Sequence, residues 1–348
     1  MKRLGRDASK LETVNLFSLL QDEEGGTFYD PQNRESFLAQ VDSGLARAIT
    51  SESTLHGIRA QTMFEGMVAN LGSAKLIKQE DAGDCYYEGD DINLPDFRVV
   101  TQSGEVLLIE TKNHFHKDPF RRYRIRQDDL KKLMRYAALS ATALRLAVYW
   151  SRWNLWTLNK PESFSQDGKY LALDFQKAMK MNEMATLGDF TVGTKYPLTV
   201  RLGADMKQGR SKDVDGKVLM HVGNVEVSCG GEPIVDPIER NIVVYLMMYG
   251  KWQYDGGTVE LGEDGLPVGM VHSSSPEDLT NSGEDFQIIG SLSSLYSNLY
   301  NSLTLKDGVV ERFRVKDPAS LAPMIPLKFE KKALPLWRFV MQPNPHGE

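Results

Sequence analysis

Cysteine is almost absent from this chain of 348 residues: only Cys85 and Cys229 are present, far apart in sequence. Such a pair supplies neither a disulfide framework nor the ligands of a structural zinc site. Long apolar runs are missing too. No stretch approaches the ~18 residues that a membrane-spanning helix needs. The segment Met1 to Asp7 lacks the apolar stretch of a signal peptide, so the cytoplasm is the expected compartment. Positive charge is scarce overall, with 41 Lys and Arg against 47 Asp and Glu, a formal net charge of -6. A protein that coats nucleic acid without specificity is usually basic, and this one is not. A localised basic groove still fits, because an acidic remainder disfavours stray binding. No internal repeat or heptad array is visible. Hydrophobic residues make up 41% of the chain, enough for packed cores. The length suits one large or two ordinary domains.

What is present centres on residues 95 to 113. Val106 to Ile109 is an apolar run rich in branched residues, with the length of a buried strand. Phe97 to Val100 is a second strand-like run, and Thr101 to Gly104 between them has turn composition. Together they predict an antiparallel hairpin. Facing residues in such a pair have numbers that add to a constant. If Asp96 faces Glu110, the turn centres on Ser103, inside the predicted turn. Facing Cβ atoms lie about 4.5–5.5 Å apart, and two carboxylates that close repel each other. One keeps its proton unless a cation sits between them. Mg²⁺ takes oxygen ligands and commonly uses one or two protein carboxylates plus substrate phosphate. Lys112 falls on the same face as Glu110 because side chains alternate along a strand. A metal that lowers the pKa of bound water, beside a lysine that orients it, equips a site for hydrolysis at neutral pH.

Pro95-Asp96, a spacer, then Glu110-Thr111-Lys112 resembles the signature of the PD-(D/E)xK, or restriction-endonuclease-like, nuclease superfamily. The resemblance covers roughly residues 55–158 and picks out no subfamily. It implies an α/β core with a mixed central sheet flanked by helices. It implies that Asp96 and Glu110 bind Mg²⁺ or Mn²⁺, with the Thr111 carbonyl as a further ligand, and that Lys112 assists the water. Many members carry an acid on the helix before the core, which makes Glu65 a candidate. They often place a Gln or Lys on the following helix, which makes Gln127 one. A solvated helix face explains Glu65 equally well.

The flanks extend this reading. Residues 58–71 have helical spacing at Phe64, Met67, Val68 and Leu71, with Gly72 as a stop. Lys117, Arg121, Arg122, Arg124, Arg126, Lys131, Lys132 and Arg135 form a basic stretch opposed only by Asp118, Asp128 and Asp129. Beside a metal site it suits a phosphate backbone, although an ordinary solvated face has the same composition. Residues 127–145 are expected as a helix with Leu130, Leu133, Ala137 and Leu144 on its apolar face. Leu146–Trp150 and Trp153–Leu158 are expected as strands, their tryptophans as packing. His114 and His116 lack partners for zinc, though His114 is placed to approach a phosphate.

Residues 1–54 are expected as a helical extension, 55–165 as the nuclease-like core, and 166–348 as an α+β domain for specificity, sensing or assembly. Residues 189–235 alternate as strands do, and Pro237–Tyr249 has a helical apolar face. Residues 255–285 have the composition of a long connection rich in Gly, Ser and acids, and no Lys or Arg lies between Lys251 and Lys306. Residues 287–303 are expected as a helix, with a hairpin turn at Asp307-Gly308. Residues 237–316 have the order of helix, helix and hairpin that a winged helix uses, and a partner-binding or dimerising α+β domain is the favoured reading of the same stretch.

Two functions stand. One is a metal-dependent nuclease acting on DNA rather than RNA, in prokaryotic restriction, anti-phage defence or DNA repair, as a homodimer or within a multi-subunit defence complex. The other is a nucleic-acid-binding or assembly subunit that cuts only when a partner or effector reshapes the site.

Overall fold

Three helices open the chain: α1 (Thr13–Glu24), α2 (Pro31–Thr50) and α3 (Glu52–Leu71). The computed structural model describes residues 1, 13–24, 29–81, 85–277, 286–315, 325–326, 329–330 and 332–344. α2 starts where the Asp30 carboxylate accepts the N–H of Gln32 and Pro31 presets the first turn. α3 buries Met63, Phe64, Met67, Val68 and Leu71 along one stripe. It stops at Gly72, whose φ of 86° makes a left-handed cap that a side chain would strain.

A five-stranded mixed sheet follows, ordered β1-β2-β3-β5-β6. Its strands are β1 (Ala74–Gln79), β2 (Phe97–Thr101), β3 (Val106–His114), β5 (Ala143–Trp150) and β6 (Leu155–Asn159). Between β3 and β5 the chain forms β4 (Tyr123–Arg126) and α4 (Gln127–Leu139). β2 and β3 pair antiparallel with Phe97 opposite Ile109 and Val100 opposite Val106. This is the register that a turn centred on Ser103 requires. β3 and β5 run parallel, so α4 is the crossover between them. Alternation divides β3 between two cores. Leu107 and Ile109 face α3, together with Phe97, Val99 and Phe64. Leu108 faces α4, together with Leu130, Leu133, Leu146 and Val148.

Several local expectations are corrected. The helix expected over 127–145 ends at Leu139. Ala141 turns the chain at a φ of 49°, and the Thr142 N–H closes on the Ala137 carbonyl. Leu144 is therefore buried in a strand, because a run of Ala and Leu suits either element. β1 was not anticipated, and β4 emerges from the basic stretch by alternation, with Tyr123 and Ile125 buried. Trp150 and Trp156 are packing residues, whereas Trp153 is exposed in the turn before β6 and stacks on Phe175.

The chain does not part at residue 165. β7 (Ser165–Asp167) and β8 (Tyr170–Leu173) return to pair with β4. Leu173, and Ala178 of α5 (Phe175–Lys180), join the core beneath α4.

The rest is α+β. A five-stranded antiparallel sheet is ordered β14-β13-β10-β16-β15. It uses β10 (Leu198–Ala204), β13 (Val222–Cys229), β14 (Glu232–Pro233), β15 (Gln253–Leu261) and β16 (Pro267–Ser275). The short hairpin β11 (Ser211–Lys212) and β12 (Val218–Leu219) projects from it, and α6 (Pro237–Tyr249) packs on β10 and β13. The connection expected over 255–285 is thus the β15–β16 hairpin as far as Ser275, while 278–285 lie outside the described residues. Its polar composition misled because most of β15 is exposed, so few of its side chains need be apolar. A small sheet joins β9 (Thr191–Lys195), β17 (Phe286–Ser291) and β20 (Trp337–Phe339).

The helix expected over 287–303 is α7 (Leu292–Thr304), entered from β17. The hairpin β18 (Leu305–Lys306) and β19 (Val309–Val310) turns at Asp307-Gly308. The described residues of 237–316 do not have the arrangement of a winged helix, since two long strands and β17 separate α6 from α7. α7 buries Leu295, Tyr296, Ser297, Leu299 and Tyr300, so it has no free face for a DNA groove. Tyr296 and Tyr300 instead complete the core around α3. The molecule is a mixed α/β protein with seven α-helices among the described residues.

Candidate active site

Asp96 immediately precedes β2, and Glu110 and Lys112 lie toward the C-terminal end of β3. The run Leu107–Ile109 carries β3 through the middle of the sheet, which draws Glu110 inside behind it. Asp96 and Glu110 are only 6% and 8% exposed. The Lys112 Nζ lies 2.5 Å from Glu110 Oε1, as alternation along the strand requires. Asp96 is held from three directions. Its Oδ2 accepts the Thr111 N–H at 2.6 Å and the Thr111 hydroxyl at 2.5 Å. Its Oδ1 accepts the Gln61 side-chain amide at 2.7 Å.

The electrostatics follow from crowding. Burial, then the charge of Asp96, pushes the Glu110 carboxyl up to about 7 against the pull of Lys112. Burial also raises Asp96, offset by the Thr111 donors, Lys112 and Gln61. Burial disfavours charge on Lys112, but Glu110, Asp96 and Asp129 outweigh it and hold the ammonium above its ordinary value. Two desolvated carboxyls beside one cation make a site that gains by accepting further positive charge.

The donor set fits a small hard cation. Two carboxylates are the protein share that Mg²⁺ commonly takes. Within a strand, a residue's N–H and C=O leave from one edge. The Thr111 N–H points at Asp96, so its carbonyl emerges beside the same carboxylate. No cluster of three or more His, Cys, Asp or Glu suited to a metal occurs among the described residues.

The remaining candidates divide. Glu65 has no side-chain hydrogen bond or ion pair among the described residues, and its charge is felt by Tyr296 of α7. Gln61, one turn earlier on the same face, is the α3 residue that touches the acid pair. Gln127 opens α4 and gives its backbone N–H to the Lys169 carbonyl, while its side chain has no hydrogen bond among the described residues. Arg122 and Arg124 both pair with Asp167, at 3.2 and 2.7 Å. Lys117, Arg121, Arg126 and Lys131 are exposed. Lys132 approaches Asp91 at 3.6 Å and Arg135 approaches Asp90 at 3.4 Å. The basic excess is therefore smaller in space than in sequence. His114 gives its Nε2 to the Arg121 carbonyl and braces a loop.

Sequence reasoning missed Gln61, the Thr111 hydroxyl, Asp129 and Asp81. Gln61 lies four residues before Glu65, so a helix-face argument reaches it once α3 is placed. Asp129 acts on Lys112 from the first turn of α4. Burial and the charge of Asp96 raise the Asp81 carboxyl. Neither acid had a signal in its own sequence neighbourhood.

No protein-family profile matches this sequence, and no curated protein matches it. Among solved structures, the Holliday junction resolvase Hjc from Archaeoglobus fulgidus is similar over 32% of this chain and 87% of its own. The identity is 13% and the TM-score 0.25. No described helix is long and apolar enough to cross a membrane.

Proposed function

We propose that this chain is a divalent-metal-dependent nuclease that hydrolyses phosphodiester bonds, with DNA as its substrate. The observation that carries the reading is the convergence of Asp96, Glu110 and Lys112, with Lys112 Nζ 2.5 Å from Glu110. Asp96, Glu110 and the Thr111 carbonyl would hold Mg²⁺ or Mn²⁺, which lowers the pKa of bound water and offsets charge at the phosphate. Thr111 and Gln61 fix the Asp96 carboxylate. Lys112 supplies a cation beside the reacting phosphate and a donor that orients the water. The exposed Lys117, Arg121, Arg126 and Lys131 suit the flanking backbone. Restriction, anti-phage defence and DNA repair are the settings in which such chemistry serves.

One observation favours the second reading, a binding or assembly subunit whose cleavage depends on a partner. Asp96 and Glu110 already have partners in Gln61, Thr111 and Lys112, so Lys112 must swing off Glu110 before the site opens. The two readings divide on one experiment. Purified protein with Mg²⁺ or Mn²⁺ is expected to nick or degrade DNA, and EDTA to stop it. Lys112→Ala and Asp96→Ala are each expected to remove at least 100-fold of the rate while circular dichroism stays unchanged. A Lys112→Ala variant that cuts as well as the parent sinks the mechanism. Binding without cleavage across metals transfers the case to the conditional subunit.

A further inference from the structure

The loop that leaves β3 directly after the site, residues 115–122, presents two phenylalanines to solvent. Phe115 is 67% exposed and Phe120 is 83% exposed. Lys117, Arg121 and Arg122 are exposed on the same loop. Single apolar side chains at a surface are ordinary. Two nearly bare aromatic rings interleaved with cations on one short loop are a different pattern. It is the composition that binds unpaired nucleotides, where bases stack on aromatic rings and basic side chains track the phosphates.

The loop is held in shape without help from the two rings. The His114 ring Nε2 meets the Arg121 carbonyl at 2.9 Å, which ties the end of the loop back to the end of β3. Arg152, in the turn between β5 and β6, donates to the Lys117 carbonyl at 2.8 Å. The Asp118 N–H donates to His116 Nδ1, and the Asp118 carboxylate accepts the Phe120 N–H. His114 itself lies edge-on to the buried Trp150, with ring centroids 5.0 Å apart. The loop is therefore pre-organised, and exposing the rings does not arise from a loose tether. Position completes the case. Phe115 directly follows His114, the last residue of β3, and stands three residues after Lys112, a reach of at most about 10 Å along the chain, so the loop starts at the end of the strand that carries Glu110 and Lys112.

We infer that Phe115 and Phe120 form a stacking platform for unpaired nucleobases beside the cleavage site, so that the substrate carries a single-stranded or unpaired segment next to the scissile phosphate. This rests on the nuclease reading and narrows its substrate class. Stacking has no hydrogen-bond code, so the platform selects unpaired strands and not a sequence. A fully paired duplex hides its bases and gains nothing from these rings.

The test uses the full chain. Binding of a fluorescent unpaired oligonucleotide, as DNA and as RNA, and of a blunt DNA duplex is measured in a Lys112→Ala background, with and without Phe115→Ala plus Phe120→Ala. The phenylalanine changes are expected to weaken unpaired-strand binding by roughly 10-fold or more and duplex binding by less than about twofold. Phe120→Tyr is expected to retain most of the affinity, and a 2-aminopurine base in the oligonucleotide to be quenched only when the rings are present. With Lys112 intact, the double variant is expected to cut blunt duplex at the parent rate and forked or single-stranded substrates more slowly. The far-ultraviolet spectrum and thermal midpoint should not move, since both rings are exposed. Equal binding and cutting of every substrate by parent and double variant overturns the platform and leaves the nuclease reading standing. An equal loss on duplex and unpaired strand also overturns it, because that assigns the rings to general contact or to a protein partner. A parent that neither binds nor cuts any nucleic acid with Mg²⁺ or Mn²⁺ removes both readings.

Discussion

Asp96 shows how a single carboxylate comes to be poised. Burial costs it solvation, and three donors from two neighbouring elements return part of that. The Thr111 side chain is the most easily tested of them, since its hydroxyl is aimed at Asp96 while its own backbone stays in β3. Thr111→Val keeps the volume and the strand propensity and deletes only the hydroxyl donor. Groups that orient a metal-binding carboxylate typically cost 10- to 100-fold in metal affinity or activity when removed. Thr111→Val is therefore expected to weaken Mn²⁺ binding, measured by calorimetry, and DNA cleavage by about 10-fold, and Thr111→Ser to restore both. Unchanged Mn²⁺ affinity in the valine variant would show that Asp96 needs no such support. Sequence reasoning brought Asp96, Glu110 and Lys112 together, as the structure does, because a strand's period and a turn's centre fix which residues meet. It chose Glu65 where Gln61 makes the contact, because helical spacing names a face and leaves the height along it open.

Elements in this chain were legible where their stop signals were chemical. Gly72 ends α3 and Asp307-Gly308 turns a hairpin, each through positive φ. Asp236 starts α6 by accepting the N–H groups of Ile238 and Glu239. Elements were misjudged where composition was ambiguous, as in the Ala- and Leu-rich passage from α4 into β5. The start of α7 offers a test of how tertiary burial changes a cap. Asp189 accepts the Ser293 N–H at 3.0 Å and the Ser293 hydroxyl at 2.6 Å. A helix N-terminus favours an anion, yet burial wins and pushes the Asp189 carboxyl up to about 6. An unfolded aspartate ionises near 4. Between those values the unfolded chain is charged while the folded one keeps its proton, so stability is lost as pH rises through the window and is level above it. Asp189→Asn has no such titration. The unfolding free energy of the parent minus that of the variant is expected to fall by up to ~3 kcal/mol from pH 4 to pH 7. A difference that stays flat across that range would show that the carboxyl ionises normally.

At the scale of the whole molecule, the C-terminal half is built into the core of the first. Tyr296 and Tyr300 of α7 share a cluster with Phe64, Phe97 and Trp156, and Leu295 and Leu299 of the same helix belong to the C-terminal core. Gly66 of α3 leaves room for the Tyr296 ring to approach. The buried Arg59 reaches Asn301 and Thr304, and its guanidinium lies over the Tyr300 ring. One helix shared by two cores couples them, so calorimetry is expected to show a single cooperative transition. Two resolved transitions would mean that α7 does not link the halves. The sequence by itself determined the local pairings: the β2–β3 register, the acid pair that it brings together, the lysine on the same face, and the helices that end in chemical caps. These depend on periodicity and on turn geometry over a few residues, which the chain carries in plain order. Only the tertiary structure decided that α7 is interior, that Gln61 bonds Asp96 and Asp129 lies near Lys112, that Asp167 draws off part of the basic stretch, and that Phe115 and Phe120 remain in solvent. Each of those depends on which surfaces meet after the chain closes, and residues distant in sequence meet through packing that no local pattern records.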